Sequence, residues 1–524
     1  LNEKIVFSES RPLGLSWSEA NSPGKLAAAT AHLLAGRGTV IVLVTQPDHT
    51  WGIAQALKET SEAMSGDPDV EHIATFLSEE MGEHFPLVSL VRYGVGVHHS
   101  GLSEDTRTLI EWLTEKGHLR TLVATTTIAQ GVNFPVSGVV FASHQYPYGK
   151  DMPAEDFWNI AGRAGRVDQN DIGVVALVAP DDAKAAILKT YLQKATGSLN
   201  STLIGMVQEA LSDGELPNLE TLSYMPAWSA FLQYLVHSYR QIGNHERFAN
   251  LVETVLRGTL GFQELRRSNP RLAVQLVNRV QGYAGRLQGR PLALVDSTGF
   301  SLESVMGTLG RISEQRLDPA VWSTDLFDPS GQESLKKMMG LLLEIPELRE
   351  NLIEVGSGGR NAGDRLARIV TDWVHGRALS EIAADHFPAS DTSDEKQRSS
   401  MTSCCRMIFG RLAQTASWGI SALQSLSLGD SLEGRPEEVV RQIRNLPSWV
   451  YYGVNSDEAM AVRMLGVPRT AANAMAVSIG VGASEPISSV RQKLKNAPIE
   501  TWEQALGTKG ATYRRVWQIV EGEA

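Results

Sequence analysis

Short aliphatic runs set between helical stretches place the strongest limit on what this chain can fold into. They are Thr39–Thr45 (TVIVLVT), Leu119–Ala124 (LRTLVA), Val139–Ser143 (VVFAS) and Gly173–Ala179 (GVVALVA). Runs of four to eight apolar residues without polar alternation suit strands buried on both faces. Strands that alternate with helices argue for βαβ units and a parallel sheet. That pattern extends from about Gly38 to Pro180.

Beyond about residue 196 the strand signal fades and helical patterns take over, as in Glu246–Leu265, Asp364–His375 and Ser399–Leu423. Their apolar residues recur at three- and four-residue spacing. Breaks rich in Gly, Pro, Ser or Asp fall at Asp213–Pro217, Leu287–Asp296, Gly356–Gly363 and Phe387–Asp394. The chain therefore reads as an α/β domain followed by two or three helical ones.

Charge narrows the function classes. The 524 residues hold 48 basic and 59 acidic side chains, a net of −11. A protein whose whole surface is a cationic nucleic-acid sleeve is excluded, whereas a local basic groove is not, because binding follows the local field. Residues 1–195 carry 15 basic and 23 acidic side chains, net −8, and the remainder 33 and 36, net −3. The acid excess therefore belongs mostly to the α/β part. The only two cysteines, Cys404 and Cys405, are adjacent. They offer neither a disulfide framework nor a CxxC metal pair, which fits a reducing cytosol, and they read as small core residues on a helix. No apolar run approaches the ~18 residues of a membrane span, and no signal peptide is visible. A cytoplasmic protein without membrane partners is expected. The first residue is Leu1 and not Met, so a piece of a longer protein is expected.

Three stretches of the α/β part carry chemistry, in a fixed order. They are Val95–Leu102 (VGVHHSGL), Val123–Pro135 (VATTTIAQGVNFP) and Asn159–Arg166 (NIAGRAGR). Loops at the carboxyl ends of parallel strands are where α/β sheets bind ligands. A glycine in such a loop lets backbone N–H groups approach a phosphate, and threonine hydroxyls add donors. Arg163 and Arg166 share a face if their turn stays helical. A guanidinium offers a fixed fork of donors and a permanent charge, suited to a transferring phosphoryl group.

In this order the stretches resemble the second RecA-like lobe of a superfamily 2 helicase, in the DExH-box, superkiller-like branch that includes repair helicases. HHSGL, ATxTLAxGVNxP and QxxGRAGR are successive motifs of that lobe. The middle one is matched at Thr125, Thr127, Gly131, Val132, Asn133 and Pro135, and the last at Gly162, Arg163, Gly165 and Arg166. Asn159 stands where the family has Gln, one methylene shorter. Val40–Leu57 resembles the opening of the same lobe. The resemblance implies an α/β RecA-like, P-loop NTPase-type parallel-sheet lobe followed by mostly α-helical domains. It implies catalytic roles for Arg163 and Arg166 at the γ-phosphoryl of ATP. ATP contacts follow for Gly131, Asn133, Asn159 and Gly162. Nucleic-acid contacts follow for His99, Ser100, Gly101, Thr125, Thr126 and Thr127.

The family's first lobe carries GxxxxGK[ST] and a DExH box, and neither occurs in this sequence. Gly24–Lys25 and Gly149–Lys150 lack the upstream Gly, and the acidic pairs read DEKQ at Asp394–Gln397 and DEAM at Asp457–Met460. ATP and Mg²⁺ are therefore expected to bind mainly through an N-terminal RecA-like lobe in the same or a separate chain. These 524 residues alone are expected to be inactive.

The same resemblance suggests a division into the lobe (1–195), a winged-helix-like domain (196–270), a helical bundle (271–435) and a C-terminal helix-hairpin-helix-like domain (436–524). No wing is identifiable in the second. Asp364–Phe387, with Trp373 and Gly376, and the helix ending near Trp418 resemble the bundle, one helix of which touches the translocating strand in the family. Arg266, Arg267, Arg271, Arg279, Arg286 and Arg290 form a local basic excess open to two readings, phosphate contact or a solvated helix face. Glu458–Met475 (EAMAVRMLGVPRTAANAM) reads as helix, tight turn and helix. Its second helix would offer N–H groups, with Arg469, to a DNA phosphate. Trp449, Tyr451 and Tyr452 are read first as packing and second as base-stacking residues. Ser143–Ala154, where related repair helicases can carry a strand-separating hairpin, is read as a connecting loop. The function expected is the C-terminal part of an ATP-dependent helicase acting on nucleic acid, DNA before RNA because of the hairpin-like C-terminus. The alternatives are a non-catalytic nucleic-acid-binding or scaffolding protein derived from a helicase, and one subunit of a split helicase.

Overall fold

Each aliphatic run becomes a strand, and a fifth, Val95–His98, joins them from the segment before HHSGL. The computed structural model describes residues 13–522 apart from 65, 130–135, 147–150, 166–172, 180, 194–201, 213, 244, 315–320, 392 and 429–431. Strands β1 (Val40–Leu43), β2 (Val95–His98), β3 (Thr121–Ala124), β4 (Gly138–Phe141) and β5 (Val174–Leu177) form one sheet in the order β2-β3-β1-β4-β5. Every pairing is parallel, with Val40 opposite both Thr121 and Gly138, Val95 opposite Thr121, and Gly138 opposite Val174. The residues of β1 to β4 are all buried, so polar alternation is missing because neither face meets water.

Helices α1 (Pro23–Leu34), α2 (Pro47–Thr60), α3 (Pro68–Met81) and α4 (Pro86–Val91) each open on a proline. Its missing N–H costs nothing at that position. Asp67 caps α3 by accepting from the N–H groups of Asp69 and Val70. Ser103 caps α5 (Glu104–Glu115) by accepting from Thr106 N. The crossover from β1 to β2 runs one way across the sheet and that from β2 to β3 the other. Right-handed connections therefore put α2 and α5 on opposite faces. Helix α6 (Ala154–Ala161) connects β4 to β5, and α7 (Asp182–Gln193) follows β5.

The remainder is helical, as expected. The pattern read as one helix over Glu246–Leu265 is two, α10 (His245–Arg257) and α11 (Leu260–Ser268), after α8 (Thr202–Ala210) and α9 (Pro226–Ile242). The break falls at Gly258–Thr259, where the Thr259 side chain accepts from Phe262 N and starts a new helix. Among the described residues of 196–270 no wing is present; the extended pairing there is one bridge between Ser212 and Glu215. Asn269 caps α12 (Pro270–Arg286), which packs back on α10 and α11, so residue 270 lies inside a packed unit.

The bundle comprises α13 (Leu292–Thr298), α14 (Leu302–Glu314), α15 (Gln332–Leu342), α16 (Pro346–Gly356), α17 (Ala362–Val374), α18 (Leu379–His386), α19 (Asp394–Met407) and α20 (Ala413–Ser427). A π-helical turn, Ile408–Leu412, joins the last two. Cys404 and Cys405 are free and buried on α19, as their neighbours in the sequence suggest. The C-terminal helices are α21 (Glu437–Tyr452), α22 (Asp457–Met464), α23 (Arg469–Ser478), α24 (Ile487–Asn496), α25 (Ile499–Leu506) and α26 (Gly510–Val520). Helix α26 returns to the lobe and packs on α3 and α5. Arg515 grips Asp69 with two hydrogen bonds of 2.6 and 2.9 Å across 446 residues of sequence. Phe76 meets Tyr513 edge to face, and Lys509 pairs with Glu79. No helix among the described residues is long and apolar enough to cross a membrane.

Candidate nucleotide and nucleic-acid site

The motif residues separate onto two ends of the sheet. His99–Gly101 follow the carboxyl end of β2, and Thr125 that of β3, where its N–H donates to His98 O at 3.1 Å. Thr126 and Thr127 continue in a short 3₁₀ turn, Thr126–Ala129. The arginine turn lies at the other end. Ala164 forms a parallel bridge with Val136, just before β4 begins, and Gly165 N donates to Val136 O at 3.1 Å. Helix α6 thus carries the chain from the carboxyl end to the amino end, and Arg163 sits two residues beyond its last turn.

The turn does not stay helical, so the condition for a shared helix face is not met. The helix stops at Ala161, and Gly165 adopts a left-handed φ of +71°, which ends helical geometry before Arg166. Nor could a side chain replace Gly173, whose Cβ would lie 2.3 Å from the Ala164 backbone. Asn159 and Gly162 are exposed and Arg163 is half-buried. Gly131, Asn133 and Arg166 lie outside the described residues.

At the carboxyl end, burial divides the HHSGL residues. Ser100 is exposed, whereas His99 and Gly101 are buried. His99 Nδ1 accepts from Gly101 N at 3.0 Å, and its ring stands edge to face with Trp51 at 5.5 Å. Burial, helped by His98 and Arg107, pulls the His99 pKa down to about 3. The ring is therefore neutral near pH 7 and is no cation for a phosphate. A Cβ on Gly101 would lie 2.6 Å from Thr402 Cγ2 on α19, so this glycine lets the bundle approach the lobe. Thr125 is also buried, and Thr126 is half-buried.

A cleft of about 720 Å³ opens over the carboxyl ends of β1, β4 and β5. Lys25, His49, Ser143, His144, Gln145 and Lys184 line it, with the starts of α1 and α2. His144 Nε2 is buried there without a partner among the described residues, and burial lowers the pKa of that ring. Sequence reasoning gave none of these residues a ligand role. The signal available was the proline-started helices flanking β1, whose first N–H groups face the same end. The described residues of 143–154 include one short pairing. Gln145 and Asp151 pair in an antiparallel bridge, Gln145 Nε2 donates to Asp151 Oδ1 at 3.1 Å, and Met152 N donates to His144 O at 2.7 Å. Beside it, the Tyr146 hydroxyl donates to Asp156 Oδ2 at 3.0 Å, and burial together with that bond pushes its pKa up to about 12.

The helix-hairpin-helix expected near the C-terminus forms, with Gly466 at φ +83° between α22 and α23. Arg469, expected at a DNA phosphate, is instead 6% exposed. Its two terminal nitrogens donate to Trp373 O and Arg377 O, and its guanidinium lies 4.3 Å from the centre of the Trp373 ring. Glu80, buried on α3, is the opposing charge that acts on it most strongly; burial pushes the Glu80 pKa up, and Arg469 offsets part of that rise. A phosphate cannot reach an arginine so enclosed. Of the basic excess on α11 and α12, Arg271 pairs with Glu215, Arg279 binds Leu216 O and Asn218 Oδ1, and Arg286 pairs with Glu220. Those three tie α12 to the 215–220 segment.

The described residues do not fit Mg²⁺. Their only cluster of possible metal ligands, Asp67, Asp69 and His118, is already engaged. Asp67 caps α3 and pairs with His118, while Asp69 holds Arg515.

Residues 71–168 match the family described as the helicase conserved C-terminal domain. Activating signal cointegrator 1 complex subunit 3 of Danio rerio is 32% identical over 181 residues, 32% of this chain and 12% of that protein. The ATP-dependent DNA helicase Hel308 of Pyrobaculum calidifontis is 32% identical over 184 residues, 33% of this chain and 26% of that protein. The mRNA transport homolog 4 of Caenorhabditis elegans is 32% identical over 157 residues, 29% of this chain and 14% of that protein. The matched region spans 12% to 26% of these relatives' own lengths.

Proposed function

We propose that this chain, which carries the RecA-like C-terminal lobe of a superfamily 2 helicase of the superkiller-like branch, works as the second half of an ATP-dependent nucleic-acid motor. The observation that supports this most is the split of its motifs between the two ends of one parallel sheet. The arginine turn is pinned to the start of β4 by the Val136–Ala164 bridge. The threonine turn and the cleft with Lys25, His49 and Lys184 occupy the carboxyl end. Nucleotide and strand would thus be handled at different places on one rigid element, which is what coupling hydrolysis to movement requires.

In this reading ATP sits between this lobe and an N-terminal RecA-like lobe that supplies the phosphate loop and the Mg²⁺ ligands. Arg166, with Arg163, stabilises negative charge on the γ-phosphoryl group, a role worth about 10³–10⁵ in rate in phosphoryl-transfer enzymes. Gly131 and Asn133 sense that group, and Asn159 and Gly162 complete the nucleotide side. The strand, DNA in preference to RNA, crosses the carboxyl-end loops and continues past the helical bundle, and lobe closure advances it.

The test uses the motor that includes the first lobe. Arg166→Ala is expected to lower ATP turnover by about 10³-fold or more while strand binding holds. A parallel loss of strand binding would show that the arginine is misassigned. The 524-residue chain by itself is expected to show no Mg²⁺-dependent hydrolysis, and turnover by it alone would refute the shared-site reading.

A further inference from the structure

Lobe, bundle and C-terminal helices meet at a groove of about 270 Å³ beside the start of α5. That start follows the carboxyl end of β2, so the groove opens on the same end of the sheet as the larger cleft. With neighbouring strands ~4.8 Å apart, the two openings lie roughly 15 Å from each other across the sheet. A strand crossing the carboxyl-end loops would leave the sheet at this groove.

Its walls are unusual for a domain seam. Tyr451, at the last turn of α21, is 50% exposed, and Met464, at the end of α22, is 46% exposed. Helical spacing explains why only part of the aromatic cluster is available. Trp449 and Val450 face the core, with Trp449 Nε1 donating to Asp457 Oδ1 at 2.9 Å, and Tyr451 is rotated away. Tyr452 props the Tyr451 ring edge to face, 5.0 Å between centres at 86°. Phe409, on the π-helical turn, and Gln414 complete the bundle side. Such π turns occur frequently at functional sites.

The lobe side supplies polar groups of both signs. Glu104 and Arg107 lie one turn apart on α5 and both line the groove. Arg107 Nε is buried and has no hydrogen-bond partner among the described residues. Asp105, the other acid there, is already held by Arg463 at 3.0 Å. A carboxylate and a guanidinium one turn apart disfavour a phosphate and suit an edge that both donates and accepts. A nucleobase has such an edge and a flat face for an exposed tyrosine.

We propose that this groove holds one unpaired base of the nucleic-acid strand, stacked on Tyr451 with its edge read by Arg107 and Glu104. The inference rests on the reading that a single strand crosses the carboxyl-end loops, and it names where that strand leaves them.

Fluorescence anisotropy of a labelled oligothymidine single strand on the full 524-residue chain tests it. Tyr451→Ala is expected to weaken binding roughly tenfold, within the range that base stacking contributes. Tyr451→Trp is expected to restore it, and the dependence on salt is expected to stay unchanged, because no phosphate contact is lost. Tyr451 is half-exposed at a helix end, so neither change endangers folding. Undiminished binding by Tyr451→Ala overturns the groove and leaves the strand path intact. Failure of the unaltered chain to bind any single strand overturns both.

Discussion

The arginine turn after α6 and the hairpin turn before α23 look alike in sequence and differ in space. Each sets a glycine within three residues of an arginine and suggests backbone and guanidinium reaching for a phosphate. After α6, Asn159 and Gly162 are exposed at the end of a sheet. Before α23, Arg469 is enclosed by Trp373, Arg377 and Glu80, and Gly453 is fitted so closely that a Cβ would lie 2.4 Å from Arg469 Cδ. A glycine-arginine turn whose guanidinium donors are already spent on carbonyl groups is no phosphate site. In the hairpin they hold the C-terminal helices to the bundle.

The largest expected effect breaks or keeps that contrast. Arg469→Ala leaves the carbonyl groups of Trp373 and Arg377 without their donor and removes the positive charge that acts on Glu80. Removing one member of a buried charge pair costs about 3–5 kcal/mol. A large drop in the thermal unfolding midpoint is expected, with single-strand affinity of the surviving folded fraction unchanged. An Arg469→Ala chain of ordinary stability and weakened strand binding would return this arginine to the phosphate role and erase the difference.

What the sequence made legible follows the same division. The strands could be read because burial on both faces leaves an unbroken aliphatic run, a local signal. The motif order could be read because it lies within one lobe. Strand β2, with Gly96 in its middle, gave no such run; that glycine is needed because a Cβ there would lie 2.7 Å from Leu119 Cδ1. The enclosure of Arg469 was not legible, since Glu80 and its hydroxyl partner Thr470 are separated by 390 residues. The same holds for the arginines of α12, whose partners at 215–220 belong to another predicted domain. The end of the sheet on which Arg163 falls depends on the length of α6 and on Gly165, which helical periodicity alone does not fix.

A smaller effect sharpens the contrast within HHSGL. Gly101 was assigned to nucleic acid, yet its missing side chain makes room for Thr402. Gly101→Ala forces a methyl group into a packed seam, where overpacking costs about 1–3 kcal/mol. Ser100→Ala, at the exposed position beside it, is expected to leave stability within ±0.5 kcal/mol. Chemical denaturation of the two variants separates the roles. Equal midpoints would mean that the seam yields freely and that Gly101 is available to a ligand after all.

The smallest effect concerns His99, which packing holds neutral as it holds Arg469 enclosed. Its pKa is about 3 in the folded chain against an ordinary 6.5. The unfolded chain therefore takes up a proton between those values that the folded chain refuses. The sign follows: this contribution to stability is complete above about pH 6.5 and is lost as pH falls towards 3, with a slope of about 1.4 kcal/mol per pH unit. Between pH 7.5 and 5.5 the unaltered chain is expected to lose about 1.4 kcal/mol from this residue. His99→Gln cannot take up that proton, so the loss should vanish from its denaturation curves. If the pH dependence survives the substitution, His99 is open to water in solution, and the carboxyl end of β2 is a more accessible surface than its packing against Trp51 and Thr402 implies.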